Sequence, residues 1–330
     1  MRSQWIAVGV NAALLLVVAA LAAAFGTESI SLVRALSDPQ SLDQTILLHV
    51  RLPRIALASI AGAGLASVGV TFQAMLRNPL AEPYVLGVSG GAALGATVVI
   101  ALGASTLALW TTALISLSAM SGGIAATALV YFIARAGAVA SGSSILLAGI
   151  IVNAIAGALI TFIKTLVTAS KSQELLFWLM GFIDVPSATT LLVLVLLVAI
   201  GVSVLWLDAG RMNLLSLGDD SARHLGVDVT ALERRLHVAS SLVVGAIVSV
   251  TGLIGFVGLV VPHALRRLVG PDHRVLLPAS ALAGGATLVL CDLLARAAFR
   301  WIGTEPPVGA VTALVGGPLF LVLLRRRTAW

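Results

Sequence analysis

RLPRIALASIAGAGLASVGVTFQAMLRNPLAEPYVLGVSGGAALG, residues 51–95, decides how this chain is read. Two apolar runs are joined there by a short polar turn, Arg77-Asn78-Pro79-Leu80-Ala81-Glu82-Pro83. Each run approaches the roughly 20 apolar residues that cross a bilayer as a helix. Asn78 before Pro79, with Pro83 soon after, stops a helix and fixes a turn. The stretch therefore predicts a transmembrane hairpin with a rigid tip. Gly87, Gly91 and Gly95 recur every fourth residue, so they share one helix face and admit a second helix at close range. Arg51 and Arg54 flank Pro53 at the entrance, where proline suits a first helical turn because its missing N–H would have no partner.

Working outward, the whole chain has this character. Of its 330 residues 59% are hydrophobic and 10% charged, and the mean hydropathy is +1.08. A soluble domain carries about 25% charged residues, so the chain reads as a polytopic membrane protein. The net charge of +6 then reflects basic interior loops rather than nucleic-acid binding. The lone cysteine, Cys291, excludes an intramolecular disulfide. The run from Trp5 to Phe25 is longer than a signal-peptide core and reads as a first span.

Ten spans are predicted: 5–25, 55–75, 85–103, 108–133, 144–167, 188–207, 237–254, 256–269, 275–299 and 308–324. With the N-terminus inside, thirteen of the twenty basic residues fall on interior segments and seven outside, which places both termini in the cytoplasm. The seven include Arg51, Arg54 and Arg296, which ask for a separate reason. Segment 26–50 is polar enough to leave the membrane and to carry a short surface helix. Segment 168–187, with Phe177 and Trp178, predicts a short interfacial helix on the outer side. Asn153, amid the Gly149–Gly157 ladder of the fifth span, suits a helix-to-helix hydrogen bond.

Four elements of the opening stretch, in register, resemble the permease subunits of bacterial ABC importers for ferric siderophores, haem and cobalamin. They are Arg51-Leu52-Pro53-Arg54, Gln73, Asn78 to Pro83, and Leu86-Gly87 through Gly91-Ala92. The resemblance continues through Phe177 to Gly181, Gly252 to Arg266, Gly270 to Arg274, Asp292 to Arg296 and Pro307 to Pro318, leaving residues 1–45 and 168–187 poorly specified. It implies an all-α permease with residues 1–330 as one transmembrane domain in the bacterial inner membrane. The implied partners are a second copy of the chain, two cytoplasmic ABC ATPases and a periplasmic binding protein.

The resemblance also implies sites. A cytoplasmic gate is expected at Asn78 and Leu80 in the turn and at Ser143 and Ser144, which open the fifth span. Binding-protein docking is expected at Arg51, Arg54 and Arg296, projecting from the outer mouth, because an arginine fork holds a carboxylate with two hydrogen bonds. The interior loop 208–235 carries its own apolar anchors, so it reads as a docking element for an ATPase rather than a solvated connector. Leu215, Gly218, Asp219, Asp220, Arg223 and Gly226 are its centre. Asp219 and Asp220 open a short helix there, where negative charge suits the dipole, and Gly226 ends it.

Catalytic and metal-binding patterns are missing from the sequence. No two of the five histidines, at 49, 224, 237, 263 and 273, are four apart, so no H-E-x-x-H exists. Neither lysine, Lys164 or Lys171, follows the glycine that a P-loop needs. The chain is therefore expected to bind no cofactor, with ATP and Mg on the partner ATPase. The alternative is a secondary transporter driven by an ion gradient. Such proteins bury ionisable residues near the midplane. Here Asp292 is the nearest candidate, and its spacing to Arg296 suits a simple helix pair.

Overall fold

The structure, a computed structural model, describes residues 2–103, 111–135 and 142–325. In lipid every backbone polar group must be satisfied within its own segment, and helices do this. The elements are α1 (Arg2–Ala24), α2 (Leu32–Ser37), α3 (Leu42–Ile46), a π-helical turn (Leu47–Arg51) running into α4 (Leu52–Met75), a 3₁₀ turn (Pro83–Leu86), α5 (Val88–Leu102), α6 (Thr111–Arg135), α7 (Gly142–Leu166), α8 (Ala169–Met180), α9 (Ala188–Leu207), α10 (Ala209–Leu215), α11 (Asp219–His224), α12 (Val229–Thr251), α13 (Val257–Val269), α14 (His273–Ile302) and α15 (Val308–Arg325).

Helices α1, α4, α5, α6, α7, α9, α12, α13, α14 and α15 stand on the ten expected spans. Residues 108–110 of the fourth expected span lie outside the described residues. Among the described residues six stretches are long and apolar enough to cross a membrane by themselves: Trp5–Ala24, Leu42–Met75, Ala113–Ala134, Ser144–Leu166, Ala188–Leu207 and His273–Ile302. α5 and α15 are apolar but shorter. α13 has 13 residues, about 20 Å at 1.5 Å per residue, against a hydrocarbon core of about 30 Å. It is therefore too short to cross alone, and it follows an unwound break at 252–256.

Two expectations are refined. The loop 208–235 is largely helical, because α12 begins at Val229, capped by Asp228, whose carboxylate accepts from Ala231 N at 2.9 Å. Segment 26–50 folds into two short helices, α2 and α3, opened by Ser31 and Ser41 caps.

α4 is the innermost helix, buried along most of its length, with α14, α13, α12 and α9 packed around it. Glycine makes these approaches possible: a Cβ at Gly62 would overlap the carbonyl of Gly284 on α14, and one at Gly69 the carbonyl of Gly258 on α13. The expected stripe on α5 does the same against α6, where Gly91 meets Gly122 and Gly95 meets Ser118 backbone to backbone.

Candidate functional site

The end of the bundle that the charge count places inside is built around residues 76–81. α4 ends at Met75, and Arg77 turns the chain with φ 47°. Asn78 closes the turn twice, accepting from Leu80 N on Oδ1 at 3.0 Å and from Ala81 N on its carbonyl at 3.0 Å. The two bonds bury Ala81 and leave Leu80 38% exposed. The turn is tied to α7 farther along, where Asn153 Nδ2 donates to Tyr84 O at 2.8 Å and Gly90 N donates to Asn153 Oδ1 at 3.0 Å. Asn153 thus makes the helix-to-helix bonds expected of it. Ser144 lies partly buried in the first turn of α7; the side chain of Ser143 lies outside the described residues.

Beside this turn sits the element formed by α10 and α11. Leu215 and Ala222 are its anchors, both fully buried in the chain's own core. Gly218 adopts φ 110° and Gly226 φ 84°, conformations that bound α11 and suit only glycine. Asn213 clips α10 to α14: its Nδ2 donates to Asp272 Oδ1 at 2.7 Å and its Oδ1 accepts from His273 N at 2.9 Å. Burial opposes the charge on Asp272, but hydrogen bonds from Asn213 and Arg274 N outweigh it and hold the carboxyl below its usual range. Arg235 pairs with Asp208 at 3.1 Å. On the surface, Asp220 pairs with Arg223 at 3.1 Å, and Asp219 pairs with Arg77 at 2.8 Å, bridging α11 to the turn after α4.

Of the apolar residues that the sequence reading placed before Gly218 and Gly226, Leu215 and Ala222 are buried, while Leu217 and Leu225 are left 64% and 57% exposed beside α11. One feature of this end escaped the sequence reading. The Arg77–Asp219 pair spans 142 positions and has no local signature.

Half-way along the bundle, the 3₁₀ turn meets the break between α12 and α13. Phe256 N donates to Glu82 Oε1 at 2.8 Å, and Ile254 N donates to the Tyr84 hydroxyl at 3.0 Å. These satisfy backbone groups that the break would otherwise leave unpaired in lipid. Sequence reading took 252–258 as small-residue packing; the unwound stretch and its partners Glu82 and Tyr84 were missed. An acid beside Pro83, between two spans, was the available clue.

At the opposite end the expectation for the arginines is corrected. Arg51 and Arg296 are each only 3% exposed and do not project. Arg51 donates to Ala23 O at 2.6 Å and to Glu28 O, tying α4 to the end of α1. Arg296 Nε donates to Asp292 Oδ2 at 3.0 Å, the i,i+4 pair that the spacing predicts, and its Nη atoms reach Ala22 O at 3.3 Å. Arg54 donates to Asp292 Oδ1 and Glu305 Oε2, both at 2.9 Å, and only its edge reaches the surface. Buried charges are paired because an unpaired one is costly. Reversing Arg296 would set a carboxylate against Asp292 and unfold this end rather than only weaken docking.

Among the described residues no group of three or more His, Cys, Asp or Glu is placed to hold a metal.

Comparison with known proteins follows the same lines. Residues 13–326 match the model of the FecCD transport family. The chain is 43% identical over 290 residues to the cobalamin import system permease protein BtuC of Halobacterium salinarum, covering 86% of this chain and 74% of that protein. It is 38% identical over 320 residues to the hemin transport system permease protein HmuU of Yersinia pestis, covering 95% and 94%. A solved structure described as an inward-facing conformation of a metal-chelate type ABC transporter superposes with a TM-score of 0.87 at 32% identity, covering 97% of this chain and 98% of that one. With its bundle of apolar helices, its matched motifs and these relatives, the chain is a multi-pass inner-membrane permease of the ABC-importer kind and belongs to the FecCD transport family.

Proposed function

We propose that the chain forms half of the path by which an ATP-driven importer moves an iron chelate, a ferric siderophore or haem, or cobalamin, into the cytoplasm. Two copies enclose the path, two cytoplasmic ATPases sit beneath α10 and α11, and a periplasmic binding protein delivers the ligand. The observation that carries this reading is the inner end: a stiff turn presenting Leu80, bridged to a short helix whose flanking Leu217 and Leu225 are left exposed by the described residues. ATP and Mg belong to the ATPase, and this chain holds no cofactor. At the outer end the binding protein meets the exposed edge of Arg54 beside Glu305 rather than the buried Arg51 and Arg296. The ligand class follows from relatives whose names cover cobalamin and hemin transport. Uptake into vesicles carrying the full complex, offered each chelate on its binding protein, tests it; no uptake of any of them overturns the reading.

Two expected outcomes follow for the inner end. Asn78 and Leu80, with Ser143 and Ser144, are the proposed gate. Leu80→Cys in a Cys291→Ser background is expected to cross-link between two copies in at least one nucleotide state, read as a dimer band on a non-reducing gel. A Leu80→Cys pair that never cross-links removes Leu80 from the gate. Gly218, Asp219, Asp220, Arg223 and Gly226 form the proposed ATPase dock, and Leu215, expected there too, is instead buried beneath it as its anchor. Proline fixes φ near −65°, far from the 110° at Gly218. Gly218→Pro should therefore misdirect α11 and cut ligand uptake by about tenfold or more, as expected of strain costing about 1–3 kcal/mol. The protein should still be extracted as a monodisperse species. Full ligand-coupled uptake by that variant would falsify the dock.

A further inference from the structure

Among the described residues only two that are not glycine have positive φ, Arg77 at 47° and Phe256 at 68°. They lie far apart in sequence, yet the same short turn holds both. A left-handed residue just past a helix end is ordinary, but glycine is the residue that takes it without strain. Arginine at 77 adds strain, and its ion pair with Asp219 is exposed enough to contribute little to stability. Stability does not account for the choice, and strain retained at such a place points to function. What the arginine does achieve is contact: Nη2 lies 2.8 Å from Asp219 at the start of α11, and its guanidinium faces Gly218.

The other end of the turn is held equally firmly. Glu82 Oε1 takes the N–H of Phe256 at 2.8 Å. Between Arg77 and Glu82, Pro79 and the two hydrogen bonds to Asn78 leave little freedom. The Phe256 ring packs on Gly316 of α15 and lines a partly open cavity of about 190 Å³ among α13, α14 and α15, which Cys291 also lines.

We infer that residues 77–82 act as a crossbar, with Arg77 and Glu82 as positioning residues that pass a displacement of α11 to the break at Phe256 and hence to that cavity. The inference rests on the reading that α11 docks an ATPase. It adds the route by which a docked ATPase acts on the middle of the bundle. The support is physical contact at both ends of a short hydrogen-bonded segment, ending on a stretch that has left helical conformation.

Cys291, the chain's only cysteine, reports on the far end. The complex with its ATPase is placed in nanodiscs, and the rate of Cys291 modification by a small maleimide is measured with and without ATP. In the wild type, ATP is expected to change that rate by about fivefold, the lower range of coupling between sites. Arg77→Glu, in a complex that still retains its ATPase, should abolish the ATP dependence while leaving the nucleotide-free rate unchanged. The exchange Arg77→Asp with Asp219→Arg should restore it. Glu82→Gln, which keeps an acceptor oxygen, should retain the dependence, and Glu82→Ala should lose it. An Arg77→Glu chain that keeps the full ATP response, an exchange that retains its ATPase but fails to rescue, or a wild-type rate blind to ATP in a complex that retains its ATPase each overturn the crossbar alone. A wild-type chain that retains no ATPase overturns the docking reading and the crossbar with it.

Discussion

Asp292→Ala is expected to cost about 3–5 kcal/mol, the scale for removing one partner of a buried ion pair. Asp292 is fully buried, and its two oxygens separately satisfy Arg54 and Arg296 at 2.9 and 3.0 Å. Without it, Arg296 keeps only the carbonyls of Ala22 and Phe25, and Arg54 keeps only Glu305. Both guanidiniums stay where the fold has already taken water away. The loss therefore exceeds that of an exposed pair, worth about 0–1 kcal/mol. Asp292→Asn should be intermediate, since it retains an acceptor but no charge. Asp292→Leu combined with Arg296→Met should recover part of the loss, because replacing a whole buried pair by apolar groups is often neutral. Thermal midpoints in detergent, read by size-exclusion fluorescence, distinguish these. At about 2–4 °C per kcal/mol for a chain of moderate size, Asp292→Ala should fall by about 6 °C or more, or yield no folded peak. A shift under about 2 °C would mean that water reaches the cluster and that the pair is not a structural one.

That cluster also shows where sequence reasoning stops. The apolar runs, the double-proline turn and the glycine stripe are local, so they located ten helices and the hairpin tip, and they identified Gly91 and Gly95 as contact residues. The Asp292–Arg296 pair was legible for the same reason, being one turn apart. Arg54 finds its carboxylates 238 and 251 positions away, and nothing local announces that. Counting charges by side of the membrane told which end the arginines occupy, not that the bundle closes over them. The charged run Glu233-Arg234-Arg235 looked like loop because charge is rare inside spans, yet α12 simply extends past the membrane with it. The break at 252–256 was hidden because glycines that permit packing and glycines that permit unwinding look alike in sequence. At the candidate gate the turn was legible through its prolines. Its mooring to Asp219, Phe256 and Asn153 was not.

Gly69→Ala is expected to be the most damaging glycine-to-alanine change among the described residues. A Cβ there would overlap the Gly258 carbonyl, carbon and Cα, all backbone, so no side chain can rotate away. Overpacking of a core costs about 1–3 kcal/mol when side chains can give. Here a whole helix must move, and α13 is pinned on both sides of the contact. Gln73 Nε2 donates to Leu259 O at 3.2 Å, and Glu82 takes Phe256 N at 2.8 Å. Displacing α13 would break these bonds inside the bundle, where freed backbone groups find no water. The loss should therefore reach at least the upper end of that range, about 3 kcal/mol. Gly62→Ala and Gly284→Ala meet the same obstacle between α4 and α14. Gly9→Ala and Gly157→Ala are the controls: nothing lies within 4 Å of either position. In a helix interior alanine is favoured over glycine by about 1 kcal/mol, so both should be neutral or slightly stabilising. Expression yield and thermal midpoint of the five variants, measured side by side, decide the matter. If Gly69→Ala matches Gly157→Ala within about 2 °C, roughly 1 kcal/mol for a chain of this size, α4 and α13 do not touch backbone to backbone. The account of α4 as the helix around which the others close would then fail with it.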